Sequence, residues 1–279
     1  MSATAHAPGS QTVMAQARHE NFPVASMLLP RSVRAHLLAV YGFARLVDDV
    51  GDEVAGDRLG LLDELEADLE RVWGGQPRNP LIAALVPTVQ ACHLEIGPFR
   101  RLIDANRRDQ IVKRYETYGD LLGYCELSAN PVGELVLRIF GLATPERLEL
   151  SNKVCTGLQL TEHWQDVGED HARGRIYLPL EDLRRHGVAE ADLGAATTSQ
   201  PVRSLMEFEV RRARALLDEG APLVRTLSGR RKLAVAAFVA GGRSALKAIE
   251  RAGFEVLGPP VRAGRAQRAL EVIRTLVRG

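Results

Sequence analysis

An excess of charge of either sign is missing from this chain. Lys and Arg total 36 against 35 for Asp and Glu, so the global balance marks no nucleic acid or other polyanion as a partner. Cysteine is scarce. Cys92, Cys125 and Cys155 are an odd number, widely spaced and without a C-x-x-C pair, which argues against a disulfide framework or a zinc site and suits a reducing cytosol. The opening "MSATAHAPGSQTVMAQARHE" has no basic region followed by an apolar core, so it reads as no secretory signal. Long apolar runs are absent too. The longest, "LAVAAFVAGG" at 233 to 242, is about half the roughly 20 residues that a spanning helix needs. No G-x-G-x-x-G turn, no H-E-x-x-H pair and no complete phosphate loop occurs; "GGRSALK" at 241 to 247 lacks the required spacing. The expectation is a cytoplasmic protein, with contact at the inner face of the membrane left open.

What the chain does have is helical periodicity. Val33, Leu37, Val40, Tyr41, Ala44 and Val47 recur mostly every three or four residues, and similar patterns cover 58 to 73, 80 to 96, 98 to 114, 118 to 140, 145 to 168, 200 to 226, 230 to 253 and 264 to 277. No convincing alternating strand appears. Turn residues mark the breaks at "GGQPRNP", "GLATPE" and the long loop "RHGVAEADLGAATTSQP". No flexible linker and no fixed repeat is visible. The reading is all-α: residues 1–18 frayed, and 19–279 one helical domain of a size that buries roughly 75% of its unfolded surface.

Within this near-neutral chain, negative charge is concentrated twice. In "FARLVDDVGDE" the pairs Asp48/Asp52 and Asp49/Glu53 are each four residues apart, so each pair shares a helical face. Like charges at this spacing repel, and only Arg45 is near in sequence to compensate. In "QLTEHWQDVGEDHARGRIYLP", Glu162, Asp166 and Asp170 stand at i, i+4 and i+8, with Glu169 beside them. An isolated acidic pair is ordinarily a solvated helix end. Two such clusters after apolar turns instead suit two helices that hold a hard cation through oxygen ligands, magnesium above all, with a diphosphate completing its shell. Arg45, Arg173 and Arg175 are the basic candidates around them. The tripeptide Asp-Val-Gly common to both stretches carries no weight in this reading.

The residues resemble the squalene and phytoene synthase family of head-to-head isoprenoid synthases, through "YGFARLVDDVGDE", "LQL…QDVGED" and "GRIYLP" in that order, from about residue 21 to 251. "ENFPVAS", "YCELSANPVGEL" and "HWQDV" are most similar to the hopanoid-associated hydroxysqualene synthases within it. The resemblance implies an isoprenoid-synthase helical bundle around a central cavity. It also implies magnesium-assisted loss of diphosphate from presqualene diphosphate, rearrangement, and capture by water. By the same carry-over, Asp48, Asp52, Asp166 and Asp170 are catalytic and hold Mg2+ with Asp49 and Glu53 nearby. Arg45, Tyr41, Phe22, Gln159, Glu162, Arg175 and Tyr177 contact or shape the substrate pocket. The "SANPVG" stretch would interrupt a helix, since Pro131 has no backbone N–H to donate. The partners implied are the isoprenoid diphosphate substrate and other hopanoid-pathway enzymes.

Glu162 stands where these relatives commonly carry Asn, and Gln165 where an arginine often precedes the aspartate. Head-to-head condensation of two allylic diphosphates therefore stays open as an alternative, as does a noncatalytic helical assembly factor. Tyr41, Phe22, Tyr115, Tyr118 and Tyr124 read either as a cation-stabilising lining or as core. The tail "VRAGRAQRALEVIRTLVRG" reads either as a lipid-touching helix or as an ordinary last helix of the bundle.

Overall fold

Each acidic stretch owes its place to helices whose ends are set by identifiable residues. The computed structural model of the chain describes residues 29–278; the segment 1–18 and Phe22 lie outside the described residues. In chain order the helices are α1 (Arg31–Asp52), α2 (Arg58–Gly74), α3 (Pro80–Ala83), α4 (Val86–Cys92), α5 (Gly97–Ile111), α6 (Tyr118–Ser128) and α7 (Asn130–Ile139). There follow α8 (Pro145–Gln165), α9 (Val167–Ala172), α10 (Leu180–His186), α11 (Gln200–Gly220), α12 (Gly229–Arg251) and α13 (Arg265–Arg278). Short 3-10 turns cover Glu190–Gly194 and Ala221–Thr226. Among the described residues there is no strand, only an isolated bridge between Arg114 and Ile176.

Local chemistry explains the boundaries. Asp57 caps α2 by accepting from Gly60 N at 2.9 Å. Asn79 caps α3 ahead of Pro80, and Thr117 forms a capping box with Asp120 at the start of α6. The periodic stretch 118 to 140 is divided at Ala129, two residues before Pro131, which has no N–H to donate to the carbonyl of Leu127. The Oγ1 of Thr156 donates to Asn130 Oδ1 at 3.0 Å and fixes that break. "GGRSALK" lies inside α12, with Gly242 and Ser244 buried, so it is helix packing surface and not a phosphate loop.

The described residues group into two compact units. One comprises the chain through Ile111 together with Pro131–Thr144; the other comprises Val112–Asn130 and Pro145 onward. In the first, α1 packs on α5 and α2 through Phe43, Leu46, Val47 and Val50. Phe43 meets Phe99 edge-on at 5.3 Å, and Phe99 in turn meets Trp73 at 5.9 Å. Asp68 anchors the "GGQPRNP" turn by accepting from the backbone N–H groups of Arg78 and Asn79 and from Arg71, at 2.8 Å in each case. Burial pushes its carboxyl up, but those donors prevail and hold it below the usual range.

In the second unit, α8 packs mainly against α11, with α12 alongside both. Trp164, Leu160, Val210, Leu217, Val239 and Leu246 are fully buried there. The last helix, α13, lies on α12, where Arg243 reaches Thr275 and Gln267 meets both Arg251 and the Ser244 carbonyl. Leu270, Ile273 and Val277 remain exposed on it. No helix among the described residues is long and apolar enough to cross a membrane.

Candidate functional site

The first cluster closes α1. Because the helix runs unbroken through Asp52, Tyr41, Arg45, Asp48 and Asp52 follow one another at spacings of four, three and four along one side. The two expected pairs have different surroundings. Asp48 and Asp52 are exposed, whereas Asp49 is 2% exposed and its Oδ1 lies 2.8 Å from Arg45 Nε. The same guanidinium reaches Glu53 at 3.3 Å, so Arg45 is the compensating charge for one pair. Asp48 is oriented by Asn106, whose Nδ2 donates to Oδ1 at 3.0 Å. Gln110 donates to the Gly51 carbonyl, and Arg58 donates to the carbonyls of Asp52 and Val54, which satisfies the end of α1.

The second cluster departs from an unbroken helix. The backbone bonds Asp166 N–Glu162 O (3.1 Å) and Asp170 N–Asp166 O (2.8 Å) keep the four-residue spacing, but the helix is interrupted at Asp166, where φ is −109° and ψ 16°. The cause is a segment that crosses it. Gly168 N donates to Val256 O at 3.4 Å, and Gln165 Nε2 donates to Val261 O at 2.7 Å. Glu162 is exposed, while Asp166 and Asp170 are half-buried. Burial, with Glu169 next in effect, raises the Asp166 carboxyl above the usual range against the pull of Arg173 and Arg262. Burial and then Asp166 push Asp170 up to about 7, even with Arg175 and Arg173 opposing.

"GRIYLP" follows as an extended segment. Ile176 N donates to Lys113 O at 3.0 Å, and Arg114 donates to Gly174 O at 2.7 Å. This pairing delivers Tyr177 into a ring cluster: it stacks on His163 at 3.8 Å and lies 5.7 Å from Tyr115 and 5.6 Å from Tyr124. Gln159 and His163 meet through their Nε2 atoms at 3.2 Å. Tyr118 is elsewhere, beneath the Arg212 guanidinium at 4.1 Å.

The structure thus groups Tyr41, Arg45, Asp48, Asp49, Asp52 and Glu53 on one helix. It groups Gln159, Asp166, Asp170, Arg175 and Tyr177 within the second unit. Asn106, Gln110 and the 256–261 crossing were not anticipated. Asn106 follows Leu102 and Ile103 on the buried stripe of α5, and a polar residue in that register was the only available signal. No three His, Cys, Asp or Glu residues among those described converge as a preformed metal cage. The donor set nonetheless fits magnesium, which takes one or two carboxylates and leaves the rest of its shell to water and phosphate oxygens. Asp48 with Asp52 in the first unit, and Asp166 with Asp170 in the second, are the candidate oxygen donors.

The two Asp-Val-Gly glycines have separate physical reasons. A Cβ on Gly51 would meet the Asn106 side chain, which can move; on Gly168 it would come within 2.6 Å of the Leu257 carbonyl oxygen, which is backbone. Gly168→Ala should therefore lower stability by about 1–3 kcal/mol and cost more than Gly51→Ala. Urea midpoints of the two variants check this; equal midpoints for Gly168→Ala and the parent would refute the crossing contact.

The squalene/phytoene synthase family profile matches residues 15–269. The chain is 34% identical over 223 residues to a 15-cis-phytoene synthase of Synechocystis sp., covering 75% of this chain and just under two thirds, 66%, of that protein. It is also 34% identical over 202 residues to a hydroxysqualene synthase of Zymomonas mobilis, covering 71% of this chain and 67% of that one. The crystal structure of squalene synthase HpnC from Alicyclobacillus acidocaldarius superimposes with a TM-score of 0.82 at 43% identity, over 88% of this chain and 93% of that chain. The fold is that of the all-α isoprenoid synthases, and members of the family bind isoprenoid diphosphates with the help of a divalent metal. The chain belongs to the squalene/phytoene synthase family of isoprenoid synthases.

Proposed function

We propose that the protein is a hydroxysqualene synthase: it ionises presqualene diphosphate, lets the cyclopropylcarbinyl cation rearrange, and adds water to give hydroxysqualene and diphosphate, with residues 19–279 acting as one domain. The observation that carries this reading is the 43% identity to the HpnC structure, combined with two carboxylate clusters that each retain their spacing. The phytoene synthase relatives, at similar identity to the hydroxysqualene synthase, keep condensation of two allylic diphosphates as the second reading.

Bound magnesium would supply Lewis-acid neutralisation of the leaving diphosphate. The chain's own contribution is positional. Asn106 aims Asp48, while Arg45 engages Asp49 and Glu53 and leaves Asp48 and Asp52 outward. Arg175 brings positive charge beside Asp170. The Tyr115, Tyr124 and Tyr177 rings supply electron-rich faces that stabilise a carbocation. Arginines and the exposed Leu270, Ile273 and Val277 on α13 suit contact with an anionic lipid surface at the inner face of the membrane, where greasy substrates and hopanoid-pathway partners would be met.

The test is incubation of purified protein and Mg2+ with presqualene diphosphate or with farnesyl diphosphate. Presqualene diphosphate should be consumed at least tenfold more efficiently and yield an alcohol. Efficient use of farnesyl diphosphate with accumulation of presqualene diphosphate would establish the second reading instead.

A further inference from the structure

Beside the second carboxylate cluster, within the second unit, lies a cavity of about 10 Å3, room for a single water molecule. His163, Val167, Asp170, Arg175, Tyr177 and Leu193 are among its walls. The imidazole has one nitrogen engaged and one not. Gln159 Nε2 lies 3.2 Å from His163 Nε2 and donates to it, so the neutral ring carries its proton on Nδ1. That Nδ1 is 3.9 Å from Asp170 Oδ2, beyond hydrogen-bond reach. His163 is only 7% exposed and forms part of the wall of that water-sized space. Tyr177, stacked at 15° between ring planes, keeps it from turning away.

We propose that this cavity seats the water that terminates the reaction, with His163 holding its oxygen; the proposal rests on the hydroxysqualene reading above. The water accepts a hydrogen bond from Nδ1–H and gives one to Asp170. When the substrate's C–O bond to diphosphate breaks, the electron pair leaves with diphosphate. The remaining lone pair of the water then forms the new C–O bond to the rearranged carbocation, and the surplus proton passes from the resulting oxonium to the departed diphosphate. A neutral donor suits this task because an imidazolium at the same place would repel the carbocation. A fixed single water also explains how one alcohol can form.

The experiment measures products and released diphosphate for wild type, His163→Phe and His163→Asn with presqualene diphosphate and Mg2+. His163→Phe keeps the stacked ring but has no donor, and its alcohol fraction should fall at least tenfold in favour of anhydrous C30 hydrocarbons. His163→Asn, whose amide nitrogen sits near the place of Nδ1, should recover much of that fraction. An unchanged alcohol fraction in His163→Phe overturns the proposal, as does equal loss in both variants. Should His163→Phe fail to fold, Leu193→Met, which lengthens a wall residue into the cavity at nearly constant volume, must shift the same ratio; no shift overturns the proposal. A wild-type protein that leaves presqualene diphosphate untouched sinks the functional reading and this site with it. An alcohol-forming wild type with indifferent variants sinks only the site.

Discussion

Asp48→Asn or Asp166→Asn should each lower diphosphate release on the order of 10³-fold, because each removes one charged oxygen ligand at the point where leaving-group charge develops. The substitutions are nearly isosteric. They also relieve like-charge repulsion four residues apart, so melting temperature should stay level or rise slightly. Asp49→Asn acts differently. Asp49 is buried against Arg45 at 2.8 Å, and its loss should show first as lowered stability. Diphosphate release and thermal melts on the three variants separate the two roles; a loss below tenfold for Asp48→Asn would remove that residue from the metal set. Acid should weaken the metal as well. With Asp170 raised to about 7, a cation must compete with a proton below that pH, and apparent Mg2+ affinity should fall as pH drops from about 7. A magnesium titration of activity at successive pH values reads this directly.

Arg212→Leu should cost about 3–5 kcal/mol, the largest stability effect expected of a single change. Its Nη1 lies 2.6 Å from Asp182 Oδ2 and 3.4 Å from Glu209 Oε1; those carboxylates are 2% and 0% exposed. The guanidinium also covers the Tyr118 and Phe208 rings at 4.1 and 4.3 Å. Removing it leaves two acids buried against each other. Burial already drives Glu209 up to about 8, with Arg212 opposing and Asp182 adding to the rise. The native state therefore binds a proton at Glu209 that the unfolded chain has released above about 4.5. This contribution to stability is complete below pH 4.5 and is lost as pH rises through about 8. Glu209→Gln should flatten that interval of the stability profile. Denaturant melts from pH 5 to 9 check both claims: a parallel profile for Glu209→Gln contradicts the buried proton, and a cost under 1 kcal/mol for Arg212→Leu contradicts the cluster.

Helix content was legible because apolar spacing reports burial directly, and the carboxylates were legible because repulsion at four-residue spacing needs a reason. The surroundings of those carboxylates were not. Arg45 was visible beside them, but its ion pairs with Asp49 and Glu53 depend on side-chain placement that spacing alone does not show. Asn106 acts across 58 residues of chain, and periodicity shows that a position is buried without showing what it meets. The Asp-Val-Gly repeat looked incidental because glycine reveals its purpose only through a neighbour, and Leu257 is 89 residues beyond Gly168. The periodic stretch 145 to 168 likewise concealed the break at Asp166, since Val256 diverts the Gly168 N–H from outside that window. His163 opens the "HWQDV" stretch, but nothing in that stretch shows what the ring does. Its meaning comes from Gln159 one turn earlier and from Tyr177, which a backbone bond to Lys113 carries into place.

The most direct test of the whole account is turnover of presqualene diphosphate in water enriched in oxygen-18. Ionisation of the carbon–oxygen bond followed by water capture predicts hydroxysqualene carrying one heavy oxygen and diphosphate carrying none. An alcohol with ordinary oxygen and diphosphate with the label would mean cleavage at phosphorus, and would contradict it.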